Sequence, residues 1–228
     1  MGAGSSSGQR STSSCRDTSQ RSGLPLLTHA VDTRLPTQFG DFLLRAYTEN
    51  GSSHPHIALI QGDVSGSSVA GGVPPLVRIH SECMTGDVFS SERCDCGIQL
   101  EAALQMIALE GSGVLLYLRQ EGRGIGLLNK LHAYNLQDGG LDTVDANLHL
   151  GFGADERDYG AAILMLEDLG VSEVRLLTNN PAKLAAFSGS SISVSERMPL
   201  VAPVTDHNRG YLAVKRRRLG HFPEEFDP

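Results

Sequence analysis

The sequence predicts an α/β fold, a layered mixed sheet with flanking helices forming a single catalytic domain. Leu76-Val77-Arg78-Ile79-His80, Val114-Leu115-Leu116-Tyr117-Leu118 and Val174-Arg175-Leu176-Leu177-Thr178 are short, largely apolar runs of the kind found in strands buried on both faces. Between the first two, Leu100, Ala103, Leu104, Ile107 and Ala108 recur at helical spacing. Alternation of buried strands with helices implies helices layered on a sheet, and 228 residues supply one sizeable core or at most two small ones.

Taken in order, residues 1–28 are rich in Ser, Gly, Thr and Arg, carry the lone Cys15, and bury too little to offset the entropy of ordering, so they read as a disordered tail. The catalytic domain is expected over 29–221, with a second short tail at 222–228. From Thr37 the pattern is strand-like, with apolar runs at 39–47 and 56–60 bounded by turn residues. Gly, Ser and Pro make 62–75 a loop. The strand at 76–80 delivers the chain into a stretch holding three of the four cysteines. A helix follows Cys96, with Gly111 placed as its C-cap, and the strand at 114–118 comes next. Arg119–Gly126 is a polar, glycine-rich loop leading into a helix over 127–137, and 138–151 is a connection with a short helix around Asn147. Asp155-Glu156-Arg157-Asp158 is expected to open a helix running to Leu169 and stopped by Gly170. After the strand at 174–178, Asn179-Asn180-Pro181 turns the chain into a helix over 182–187, and Lys215–Arg218 reads as a solvated helix end.

Composition excludes several function classes. A net charge of -7 argues against broad binding to nucleic-acid backbone, while leaving room for a local basic pocket. No apolar run approaches the ~18 residues that span a bilayer, so no membrane association is expected. Nothing resembles a secretory signal, which places the cysteines in a reducing, cytoplasmic compartment.

Cys83, Cys94 and Cys96 offer three soft thiolate ligands suited to zinc. Two readings stand: a closed structural site completed by His80, or a catalytic site whose fourth position takes water. The lack of a second cysteine pair favours the open site, whose chemistry is hydrolysis. Arg78, Arg123, Arg157 and Lys183 fall in or after expected strands or at helix starts, where cations and backbone amides favour anions. The loop Glu121-Gly122-Arg123-Gly124-Ile125-Gly126 has neither Walker nor dinucleotide-fingerprint spacing.

The stretches Arg78–Asp87, Arg93–Gly97, Arg119–Arg123, Gly124–Lys130, Asp155–Asp158 and Leu177–Pro181 closely resemble GTP cyclohydrolase II, in that family's order and spacing. The resemblance implies one zinc per chain held by Cys83, Cys94 and Cys96, with His80 in the nucleotide pocket and off the metal. GTP contacts map onto Arg78, Ile79, His80, Ser81, Glu82, Gln99, Glu121, Gly122, Arg123, Thr143, Thr178 and Lys183. Asp155 matches a proton acceptor, Arg157 a nucleophile at the α-phosphorus, and Tyr134 a tyrosine near the base. Mg2+ on the triphosphate, a homodimer, and release of formate and pyrophosphate at the start of riboflavin synthesis are implied with them. The alternative is a paralogue that opens the ring and keeps the formyl group.

Overall fold

The computed structural model describes residues 1, 27–50, 52–65 and 72–222; most of the N-terminal stretch read as a tail, the middle of the 62–75 loop, and 223–228 lie outside the described residues. The described strands form one sheet in the order β1-β2-β3-β5-β4-β6-β7. Its first half is antiparallel: β1 (Leu27–Thr37), β2 (Gly40–Glu49), β3 (His56–Gln61) and, across from β3, β5 (Gly113–Leu118). The second half is parallel, with β4 (Leu76–Ser81) between β5 and β6 (Glu173–Leu177), and β7 (Ser193–Met198) at the edge.

The period of two along a strand sorts the side chains onto two faces. Leu76 and Leu115 pack with Ala103, Leu104 and Ile107 of helix α2 (Cys96–Glu110). Val77, Ile79, Val114, Leu116 and Leu118 pack on the opposite face with Ala162, Ile163, Met165 and Leu166 of helix α5 (Gly160–Asp168). Each such Leu or Ile contributes about 1.5–3 kcal/mol of burial. The same alternation puts Arg78 and His80 on the face of Leu76, so two polar side chains enter the interior beside α2. Gly111 ends α2 in the left-handed conformation (φ 75°), its N–H bonded to the Ile107 carbonyl, as its position suggested.

The other helices are α1 (Met84–Asp87), α3 (Gly126–Asp138), α4 (Thr143–His149), α6 (Pro181–Ala185) and α7 (Arg209–Leu219), and none among the described residues is long and apolar enough to cross a membrane.

Several expectations are corrected. Leu27 and Thr28, assigned to the tail, open β1. Neither β1 nor β7 was expected, because both are edge strands whose side chains are largely exposed and carry no apolar alternation. Asp155–Asp158 is not a helical turn: α5 starts at Gly160, whose N–H bonds Asp158 Oδ1 at 2.8 Å. Lys215 is not a solvated residue; its ammonium pairs with the buried Asp95 at 2.5 Å. Phe222, placed in the C-terminal tail, donates its N–H to the Asn179 carbonyl at 2.9 Å.

Candidate active site

The parallel strands β4, β5 and β6 point their C-terminal ends to one side, the usual place for a ligand crevice in an open α/β sheet. Beyond β4 the chain turns at Cys83, makes the single turn of α1, and returns through Cys94 to Cys96, the first residue of α2. The three sulfurs lie within 4.8 Å of one another, with Cys83 and Cys94 3.7 Å apart. This closeness requires glycine at 86, because a Cβ there would stand 3.0 Å from Cys94 Sγ and 3.3 Å from Cys83 Sγ. Asp87 fixes the turn: it accepts from the Cys83 N–H at 2.9 Å and the Tyr117 hydroxyl at 2.9 Å, and it faces His80 Nε2 at 3.0 Å.

The donor set fits a soft cation. Hydrogen bonds from Cys94 and Cys96, and the nearby Lys130 ammonium, hold the Cys83 thiol far below its usual range. Hydrogen bonding to Cys83 pushes Cys94 up to about 11 and, together with hydrogen bonding to Cys94 and burial, Cys96 well above its ordinary value. One thiolate is therefore stable without help, and three become so once a cation joins them. Among the described residues the group that could hold a metal comprises these three cysteines; the His80 ring is stacked on Tyr117 at 5.5 Å with Nε2 turned to Asp87 at 3.0 Å, and burial lowers its pKa.

A cleft opens beside the thiols. Glu82, Gly122, Tyr134 and Thr143 line it. Tyr134 shares a 3.2 Å hydrogen bond with Thr85, which itself stands 3.7 Å from Cys83 Sγ. The Glu121 carboxylate accepts from Met84 N–H at 2.6 Å, Gly122 N–H at 2.7 Å and Lys130 Nζ at 2.8 Å. Gly122 and Arg123 both take left-handed φ, 62° and 60°, the second an uncommon conformation for a side chain with a Cβ. This turn buries both terminal nitrogens of Arg123 without a hydrogen-bond partner, the guanidinium lying 5.5 Å from the Tyr211 ring centroid.

A second cavity adjoins the first, and Ser81, Cys96, Arg157 and Tyr211 belong to both. Cations dominate its walls. Arg78 donates to the Leu177 carbonyl at 3.0 Å and to Gln99 Oε1 at 2.6 Å, while its Nε has no partner. Gln99 continues to Asp95 at 2.6 Å, and Asp95 to Lys215. The fully buried Lys183 donates to the Ile79 carbonyl at 2.7 Å, and burial together with Arg78 and Arg157 drives its pKa far down. His221 falls to about 3, by burial first and then by the charge of Lys215 and Arg157. Asp155 grips Arg157 through Nε at 2.8 Å; burial raises the carboxyl, but Arg157 outweighs it and the net shift is downward.

Most of the residues singled out from sequence thus line one bipartite cleft, with Thr178 and Lys183 on the cation side, while Asp155 lines neither cavity and reaches the site through Arg157. Ile79 is an exception in kind, since its side chain is core and only its carbonyl faces the site. Sequence reasoning missed Asp87, Asp95, Lys130, Tyr211 and Lys215. Asp87, Asp95 and Lys130 stand inside the stretches that resemble the family without a role assigned to them, and Lys130 lies one helical turn before Tyr134 on α3, where positions i and i+4 share a face.

A thiol trio able to hold a metal ion lies beside a buried cation cluster at the strand ends of an α/β sheet. Comparison supplies the class: a sequence model of GTP cyclohydrolase II matches residues 28–199, and the chain belongs to that family. It is 57% identical over 189 residues to the GTP cyclohydrolase-2 of Pseudomonas paraeruginosa, covering 83% of this chain and 90% of that one. It is 56% identical over 196 residues to the riboflavin biosynthesis protein RibBA of Bacillus mycoides, of which it spans 48%. A crystal structure of RibBX, a two domain 3,4-dihydroxy-2-butanone 4-phosphate synthase from A. baumannii, aligns with a TM-score of 0.45 and 21% identity over 75% of this chain and 40% of that one, a likeness too distant to bear on the site.

Proposed function

We propose that the chain hydrolyses GTP, releasing formate and pyrophosphate to leave 2,5-diamino-6-ribosylamino-4(3H)-pyrimidinone 5′-phosphate, the first step of riboflavin synthesis. The observation that carries this reading is the continuity of the two cavities through Ser81, Cys96, Arg157 and Tyr211. A single nucleotide can then reach thiols with its base and cations with its phosphates.

Cys83, Cys94 and Cys96 would hold one zinc per chain, which supplies the Lewis acidity that activates water near neutral pH. The chain's own residues do the rest. The unpartnered N–H groups of Arg123 and Arg78 bind phosphate oxygens that Mg2+ helps to neutralise. Lys183 adds a buried amine to the cavity wall that Arg78 and Thr178 also line. Glu121 spends three of its roughly four lone-pair positions on its own chain and keeps one for the guanine N1–H or amine. Tyr134, held by Thr85, faces the opening ring from the thiol side, which favours the full reaction over retention of the formyl group.

For Arg157 the geometry favours charge stabilisation at the α-phosphorus over covalent attack. Burial opposes its charge, but the Asp155 hydrogen bond more than offsets this and holds the guanidinium protonated, without a free pair to attack with. A homodimer and a cytoplasmic site of action belong to the same reading. The test is incubation of the zinc-loaded protein with GTP and Mg2+, with mass analysis of the nucleotide and parallel assay of formate and pyrophosphate. Equal release of both is expected; a product retaining the formyl group would transfer the chain to the paralogue reading, and no turnover would overturn both.

A further inference from the structure

We infer that Lys130 is a positioning residue that ties the metal-binding loop to the glycine-rich turn, so that cation binding at the cysteines and presentation of Arg123 are linked. Its ammonium stands 3.0 Å from Cys83 Sγ and 2.8 Å from Glu121 Oε1, with its side chain 11% exposed. Glu121 closes the tie, since its other oxygen takes the N–H of Met84, the neighbour of Cys83, while Oε1 also takes the N–H of Gly122. The stem of Lys130 lies directly under that turn: a Cβ on Gly122 would meet Lys130 Cβ at 3.1 Å. One side chain therefore touches a thiol of the cation site, the carboxylate that pins the turn, and the backbone that turns Arg123 inward with φ 60°.

The physical consequence is reciprocal coupling. A cation on the cysteines fixes Cys83 Sγ; Sγ fixes Nζ; Nζ fixes Glu121 and with it the left-handed pair Gly122-Arg123. Any ligand held by Arg123 must then tighten when the cation is bound, and the cation must bind more tightly by the same factor when that ligand is present. A thiolate that keeps a charged donor also holds its metal more firmly, since outer partners of metal ligands typically contribute about 10–100-fold in affinity.

This inference rests on the zinc and GTP reading above, and its test separates the two. In the zinc-loaded full chain, zinc release to a chromogenic chelator should run about 10-fold or more faster in Lys130→Met than in wild type, with Lys130→Arg partly restored. Hydrogen exchange of the Met84 and Gly122 amides should slow on zinc addition in wild type and not in Lys130→Met. For a non-hydrolysable GTP analogue, zinc should tighten binding on the order of 5-fold or more in wild type and by a factor near one in Lys130→Met. Glu121→Gln breaks the tie at its other end, and should lose the zinc-dependent slowing of exchange at the Met84 and Gly122 amides and bring the effect of zinc on analogue binding to a factor near one. That second variant keeps the test decisive if Lys130→Met does not fold. An analogue that binds neither form would sink the GTP reading alone, leaving the release and exchange experiments to decide the tie. Zinc release and amide protection unchanged in Lys130→Met would overturn it.

Discussion

Cys83, Cys94 and Cys96 meet within one short stretch of chain between β4 and α2, whereas Arg78, Arg157, Lys183 and Lys215 reach the neighbouring cavity from a strand, a loop and two separate helices. The thiol side is therefore a local construction that one tight turn and Gly86 secure. The cation side depends on the whole sheet, because it exists only where the ends of β4 and β6 lie side by side and α7 folds across them. Damage to the first should abolish a chemical step and spare the fold, and damage to the second should weaken binding or the fold itself.

The sharpest break in that contrast is Cys94→Ser. It should lose zinc and bring formate release to background, while some pyrophosphate release from GTP persists; metal analysis beside the two product assays checks it. Next comes Lys215→Met, which removes the ion-pair partner of the fully buried Asp95 carboxylate and leaves it the Gln99 hydrogen bond and the more distant charge of Arg78. Breaking such a pair from one side costs about 3–5 kcal/mol, read as a lowered unfolding midpoint, and Lys215→Met with Asp95→Asn should recover part of the loss. Lys183→Met separates binding from stability. A lost charged hydrogen bond of about 1.5–3 kcal/mol should weaken a GTP analogue 10-fold or more. Because burial already disfavours the ammonium, the unfolding midpoint should hold or rise.

The smallest effect expected is the pH dependence of Asp155→Asn. The folded pKa of Asp155 lies below the ordinary aspartate value, so its stabilising contribution is present above that ordinary value and is lost as pH falls through the lower folded one. Wild type and Asp155→Asn should therefore differ in chemical-denaturation stability at neutral pH and converge in acid. A gap that widened in acid would contradict the Arg157 pairing.

The same contrast explains what could be read in advance. β4, β5 and β6 announce themselves because strands buried on both faces need apolar runs, while the exposed patterns of β1 and β7 hold no such signal. The thiol trio is visible as spacing. The Lys215–Asp95 pair joins residues 120 apart, and nothing local to Lys215-Arg216-Arg217-Arg218 distinguishes the one buried cation from its solvated neighbours. Asp87 was hidden for a similar reason: its role appears only when β4, β5 and α1 bring His80, Tyr117 and the Cys83 amide to one carboxylate. The helix expected at Asp155 failed because the Asp155 and Asp158 side chains cap local N–H groups, at Arg157 and Gly160, in place of a helical turn.

The central claim is that base and phosphates of one nucleotide divide between the two sides of the cleft. Cobalt in place of zinc, with a non-hydrolysable GTP analogue bound, makes that division measurable by paramagnetic relaxation. The guanine C8 proton should relax far faster than the γ-phosphorus, placing the base against the thiols. Faster relaxation of the γ-phosphorus would reverse the orientation and contradict the account.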